Sequence, residues 1–288
     1  MPEQVVDGTT LLQRLSDVEN CVLGVTAGAV EAVATQPLQY FKNARQQGLP
    51  FTLNPRLLYR GVGASAVNDG SMVGFQFLLV GMTQKLLTGG VERKLSLAEE
   101  TGAAMVSGAA SGVPITVLEL VMIQQQRKGN SLTEAVSTIM RASAAPGALA
   151  LFRGFWPTVS RECLFTAGYL GVSPTLYASL CESEDPRLAA LGIGKSGSPV
   201  LANLAASSLS GVAASVLTHP IDTVKTVMQG DIENGRGIVE TARLVHRTHG
   251  AAGFYRGVVS RSNMVIAAFI IFNEVKVRLA PVFFSHRF

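Results

Sequence analysis

Three ten-residue blocks of one design recur along this chain, each closing a long apolar stretch: Pro37 to Gln46, Val117 to Gln126 and Pro220 to Gln229. Two residues into each block stands Gln39, Glu119 or Asp222; three further on stands Lys42, Met122 or Lys225; the last position is always glutamine, Gln46, Gln126 or Gln229. A glycine lies nine residues ahead of each block, at Gly28, Gly108 and Gly211. An aromatic-Arg-Gly step follows each, at Tyr59-Arg60-Gly61, Phe152-Arg153-Gly154 and Tyr255-Arg256-Gly257. Separate markers returning in one order, with one repeat per hundred residues or so, mean a triplicated unit. The spacing divides the chain into repeats over 1–95, 96–190 and 191–288, and the three must share one fold within one integrated bundle.

Six apolar segments, near 18–41, 63–87, 100–123, 156–180, 200–226 and 258–283, fall two to a repeat. Each is long enough for a hydrocarbon core of about 30 Å. Hydrophobic content of 48% against 15% charged residues agrees with lipid as the solvent. The segments are rich in Gly, Ala and Ser, which lets helix backbones approach where no hydrophobic force draws them together. The expectation is an all-α membrane protein of six transmembrane helices; a soluble protein with buried Ala-rich helices is the plainer alternative, disfavoured by the repeat.

A net charge of +4 is modest. It suits contact with anionic membrane lipid such as cardiolipin, or a path for an anionic solute; no basic run suggests nucleic acid. Cys21, Cys163 and Cys181 lack metal spacing and read as small core residues, and the four histidines form no ligand cluster. No phosphate loop, nucleophile elbow, HExxH or paired-cysteine motif is present, so neither a cofactor nor an enzyme is expected. Met1 to Asn20 carries acids and has neither a secretory nor a transit-peptide pattern, which leaves any organelle address internal.

Pro37 and Pro220 sit inside helical periodicity and should kink their helices, turning the charges that follow across the bundle axis. From block to Arg-Gly arginine the chain takes 36 residues in repeats two and three (117 to 153, 220 to 256) but 23 in repeat one (37 to 60). The longer connections hold amphipathic stretches, 131–143 and 237–247, suited to short helices on the membrane surface. The first has no room for one, and Pro50, Asn54 and Pro55 read as turn chemistry; 89–94 and 182–198 read as loops between repeats.

Pro220-Ile-Asp222-Thr-Val-Lys225-Thr-Val-Met-Gln229, with its two relatives and three Arg-Gly steps, resembles the signature of the mitochondrial carrier family, and the resemblance covers almost the whole chain. It implies a pseudo-threefold bundle of six helices around a solute cavity, in the mitochondrial inner membrane, with the signatures at the matrix side and transport by alternation between two gates. It further implies a matrix gate in which the acid of each repeat pairs with the base of the next: Glu119 with Lys225, Asp222 with Lys42, and a third pair, Gln39 with Met122, that has lost both charges. Loss of both members avoids stranding one buried charge. Gln46, Gln126 and Gln229 match the family's gate-bracing glutamines.

The family's outer gate is an aromatic-acid-x-x-base motif late on each even helix. Repeat three offers Phe272-Asn273-x-x-Lys276, with asparagine in the acid's place, and the equivalent positions Val80-Gly81-x-x-Gln84 and Ser173-Pro174-x-x-Tyr177 cannot form ion pairs. The resemblance also implies a solute site midway along the even helices, eight and nine residues past the Arg-Gly arginine: Asn68 in repeat one, Arg161-Glu162 in repeat two and, with the third repeat about three residues shorter and aligned on Phe272, Arg261. An adjacent Arg-Glu pair resembles the contact point of amino-acid carriers, arginine taking a carboxylate and glutamate an ammonium group; a mutual ion pair is the competing account. Glu31, Asp69 and Gln76 are further polar residues within apolar stretches. Two functions follow: transport of a small charged metabolite, of amino-acid or carboxylate type, by alternating access; or a transport-inactive carrier-like protein serving a larger inner-membrane complex, favoured by the depleted outer gate, the short first connection and Val117 in place of proline.

Overall fold

The computed structural model describes residues 10–47, 53–59, 62–128, 131–142, 147–232 and 235–287. All regular structure among them is helical: α1 (Leu11–Arg14), α2 (Asp17–Gln47), α3 (Pro55–Leu58), α4 (Val62–Thr88), α5 (Leu97–Lys128), α6 (Leu132–Ala142), α7 (Phe155–Thr166), a π-turn (Ala167–Val172), α8 (Ser173–Glu182), α9 (Pro186–Ala190), α10 (Pro199–Gly230), α11 (Ile238–His249) and α12 (Val258–Phe283). Three helices are long and apolar enough to cross a membrane by length and composition, over Asp17–Leu38, Leu97–Val121 and Pro199–Gln229. The other three expected segments are also helical, at α4, α7 with the π-turn and α8, and α12, but Asp69, Arg161, Glu162 and Arg261 interrupt their apolar runs.

Each of α2, α5 and α10 runs through an internal proline: Pro37, Pro114 and Pro220. This corrects the expectation that the second repeat lacks one. Its proline stands three residues before Val117, about one helical turn earlier than its counterparts. The first connection, expected to hold only turns, forms the single turn α3, with Asn54 Oδ1 accepting from the Arg56 amide at 3.1 Å. The stretch 182–198, expected as a loop, contains α9, whose N-cap Asp185 accepts from the Arg187 amide. Amphipathic α6 and α11 occupy the two longer connections.

By contact the chain forms two compact units. The first comprises Met1–Ser107, Thr166–Ala213 and Val259–Phe288; the second comprises Gly108–Phe165 and Ala214–Val258. In the first, α2 and α4 pack backbone to backbone. A Cβ placed on Gly28 would stand 2.5 Å from the Asp69 carbonyl oxygen, so nothing larger than hydrogen fits there. The π-turn also belongs to this unit. Pro174 has no amide hydrogen to offer the Leu170 carbonyl, and the helix takes one wider turn, the Ser173 amide donating to Gly168 five residues back. Tyr169 in that turn is buried, donates from its hydroxyl to Gln76 Oε1 on α4 at 2.5 Å, and packs against Phe269 and Phe272 of α12 at ring separations of 5.7 and 5.1 Å.

In the second unit, α6 lays Ala135 and Ile139 on Leu120 and Val121 of α5, with Ala150 and Ile232 completing the cluster. Burying such an apolar stripe, at about 25 cal/mol per Å², is what makes a helix of eleven residues stable.

Candidate functional site

Five ionisable side chains from three helices meet in the second unit: Glu119 of α5, Arg161 and Glu162 of α7, and Asp222 and Lys225 of α10. Arg161 Nη2 lies 2.7 Å from Glu119 Oε1, and Lys225 Nζ contacts the other oxygen, Oε2, of the same carboxylate. Arg161 Nη2 also contacts Glu162, while its Nε stands 3.7 Å from Asp222 Oδ1. Side-chain exposure is 15% for Arg161, 12% for Glu119 and 3% for both Glu162 and Lys225, and Asp222 is the most open at 22%. Charges buried to this degree persist only where they neutralise one another, because leaving one unpaired costs several kcal/mol. Neighbouring α5, α7 and α10 positions therefore converge on a single polar knot.

A second set of contacts fixes the end of α10. Arg153, in the aromatic-Arg-Gly step, donates from Nε to the Met228 carbonyl and from Nη2 to those of Asp231 and Arg236, each at 3.1 Å. A guanidinium thus satisfies carbonyls that the helix terminus leaves open and sets positive charge against the negative end of its dipole. Burial pulls the Arg153 pKa down from its ordinary value, against the opposing charge of Asp231. Gly154 follows with φ 86°, and a Cβ there would meet the Gln229 amide nitrogen at 2.9 Å; both the backbone conformation and the space require glycine. In the third repeat the analogous loop is held differently: Thr223 Oγ1 donates to the Phe254 carbonyl, and His219 Nε2 lies 3.1 Å from the Arg256 carbonyl oxygen.

Gln229, expected to brace an ion pair, instead donates from Nε2 to the Arg153 carbonyl at 3.3 Å, while its own backbone carbonyl accepts from Gln124. The brace holds a loop to a helix, not acid to base. The side chains of Gln39, Lys42, Gln46, Met122 and Gln126 lie outside the described residues. In the first unit, Asn68 Nδ2 donates to its neighbour Asp69 at 3.0 Å, buried Glu31 accepts from Thr35 one turn on, and Arg261 lies half-buried in the first turn of α12. Of the four expected solute contacts, Arg161 and Glu162 come together in the charged knot; Asn68 and Arg261 belong to the other unit. Phe272, Asn273 and Lys276 are all buried. Phe272 packs on Tyr169, and Asn273 donates to Asn203 Oδ1 at 2.8 Å. Sequence reasoning did not single out Tyr169, although a Gly-Tyr-Leu-Gly run just ahead of a proline is a local sign of irregular helix.

The family model for mitochondrial carrier protein matches residues 93–183 and 196–279. The chain belongs to the mitochondrial carrier family. This carrier is 28% identical to the mitochondrial tricarboxylate transporter 1 of Mycosarcoma maydis, over 91% of its own length and 94% of the relative's. It is 25% identical to the mitochondrial glycine transporter of Rattus norvegicus (97% and 90%) and 25% identical to the mitochondrial citrate transporter B of Aspergillus niger (88% and 89%). Membership makes it a multi-pass protein of the mitochondrial inner membrane and a metabolite transporter in class, not an enzyme.

Proposed function

We propose that this carrier moves a small metabolite bearing a carboxylate, of amino-acid or carboxylic-acid type, across the inner membrane by alternating access. The bundle would be the six-helix, pseudo-threefold one, built from repeats 1–95, 96–190 and 191–288. The observation that carries the reading is a guanidinium, Arg161, held largely buried among carboxylates of α5, α7 and α10. An ionisable group there is costly unless it works, and arginine's planar fork matches a carboxylate. Tricarboxylates, citrate and glycine, named for the relatives, share that one group. Glu162 would meet an ammonium group on an amino acid, and Asn68 and Arg261 would be the remaining contacts. Glu119 with Lys225, and Asp222 with Lys42, would close the matrix side, and Phe272, Asn273 and Lys276 would belong to the outer closure.

An apolar groove of about 320 Å³, walled by Trp156, Pro157, Pro220, Val224, Ile238 and Phe254, supports a membrane lipid, cardiolipin among them, as a partner. The reading of an inactive subunit in a larger complex loses one of its supports, since Pro114 gives the second repeat the helix proline it was expected to lack. The test is uptake of labelled citrate, keto acids, glycine and other amino acids into liposomes holding the purified protein, with Arg161→Ala alongside. Transport of a carboxylate that falls at least roughly tenfold in the variant is expected. Uptake indifferent to Arg161→Ala defeats the site; no uptake together with stoichiometric co-purification in a larger assembly defeats the function.

A further inference from the structure

We infer that the single-turn helix α1 is a plug: it seats inside the end of the first unit that lies away from the block Pro37 to Gln46 and closes that end where the ion pairs of an outer gate are missing, so that a solute passes only when α1 swings out. This rests on the carrier reading, since only a chain with a path through it needs such a closure.

The end in question is set by α2 and α4, which run antiparallel. Along their line of contact Gly81 stands against Asn20, Gly74 against Gly24 and Asp69 against Gly28. The start of α2 and the finish of α4 therefore share one end, with the block at the other end of α2. Leu15 is extended, with ψ 145°, and turns the chain ahead of α2 back on itself. Asn20, one turn into α2, donates from Nδ2 to the Leu12 carbonyl at 2.9 Å, and a Cβ on Gly81 would stand 3.3 Å from the same oxygen. Gly81 lies two turns short of the last residue of α4, so Leu12 sits about 10 Å inside that end, not on top of it.

Leu11 and Leu15 are 0% exposed and Leu12 2%, which places them in the protein interior and not on a lipid-facing side. On α4, Phe77, Val80, Gly81 and Gln84 are buried at helical spacing while Met82 and Leu86 are exposed, so α1 meets the inward face. Val80, Gly81 and Gln84 are the positions that correspond to the outer gate in repeat one. An acid at position 81 would drive its Cβ into Asn20 Nδ2, the group that holds the Leu12 carbonyl, so the seat and a gate charge exclude one another. The polar contacts of α1 with the loop after α4 are at the exposed rim: Gln13 Oε1 accepts from the Arg93 amide at 3.2 Å, and Arg14 pairs with Glu92 at 2.6 Å. Exposed pairs of this kind hold weakly. Behind the hinge, Ser16 and Glu19 cap α2, and Glu19 is fastened again by His286 at 2.9 Å and Arg287 at 3.2 Å, so α1 can leave while α2 stays.

The test uses the full chain freed of its own thiols by Cys21→Ser, Cys163→Ser and Cys181→Ser, with alanine where serine does not fold. Arg14→Cys and Glu92→Cys are added and bridged by a short bifunctional thiosulfonate before reconstitution, which pins α1 in its seat. Uptake of labelled citrate, or of whichever carboxylate the unbridged chain moves best, is expected to fall at least roughly tenfold and to return on reduction, while each single-cysteine chain treated alike keeps its rate. Full uptake with complete bridging overturns the plug and leaves the carrier reading intact. Independently of transport, Leu12→Cys on the same background is expected to react with a maleimide in detergent at least roughly tenfold more slowly than Arg14→Cys. Equal rates mean that α1 is not seated and overturn the plug. A wild-type chain that moves no carboxylate defeats the carrier reading, and the plug then stands or falls on the labelling alone.

Discussion

Arg153→Ala is the most direct probe of what the aromatic-Arg-Gly step does. The side chain gives three hydrogen bonds to the carbonyls of Met228, Asp231 and Arg236. Bonds from a charged donor contribute roughly 1.5–3 kcal/mol when well buried, and Arg153 is only half-buried, so about 1 kcal/mol each is the fitting value. Alanine should then cost about 3 kcal/mol, or about 6 °C at roughly 2 °C per kcal/mol for a chain of this size. Arg153→Lys retains charge at the helix terminus but reaches one carbonyl at a time, and a loss of about 4 °C is expected by the same reasoning. Thermal unfolding in detergent, followed with a thiol-reactive dye that reports on the partly buried Cys21, Cys163 and Cys181, measures both. An Arg153→Ala protein melting within about 1 °C of wild type would refute the capping argument, and a lysine variant as stable as wild type would show that charge alone, not the fork, secures α10.

Gly28→Ala forces α2 and α4 apart, since the new methyl would stand 2.5 Å from the Asp69 carbonyl oxygen; a destabilisation of about 1–3 kcal/mol is expected, seen as a lower melting temperature or lost expression, and wild-type stability would show that the helices separate without cost. Tyr169→Phe keeps the ring among Phe77, Phe269 and Phe272 but removes the hydroxyl that serves Gln76, for about 1 kcal/mol, whereas Tyr169→Ala empties a packed site for about 3–5 kcal/mol. Equal melting of the two variants would mean that the ring's packing contributes nothing.

The charged positions of the blocks were readable because an acid or base in an apolar stretch needs a partner, and spacing supplies a short set of candidates. The ion pair of Arg161 with Glu162 was readable as one of two accounts; that Arg161 also takes Glu119 and Asp222 was not. Counting along a helix gives a residue's height and face, whereas the choice between an open solute contact and a shared ion cluster is made by neighbouring helices about forty to sixty residues away in sequence. Pro114 stands about one turn out of step with Pro37 and Pro220, so a pattern kept in register with the three blocks does not include it. Gln229 went to a loop carbonyl for a related reason: Gly154, by having no side chain, brings the backbone within the amide's reach. The short α6 and α11 were the easiest elements to read, because an apolar stripe on a polar helix is a local property.

The π-turn at Ala167–Val172 accommodates one residue more than an α-helical turn would. A residue added to or removed from a plain helix rotates everything beyond it by about 100°, which would turn every inward side chain of the span aside. Here the surplus is confined to one wide turn, so deleting a single residue within it leaves both ends of the span facing as before and sacrifices only the placement of Tyr169. The stretch from α7 through the π-turn to α8 is thus a natural point of insertion and deletion, where chains built on this plan can differ in length by one residue without a change in which faces meet.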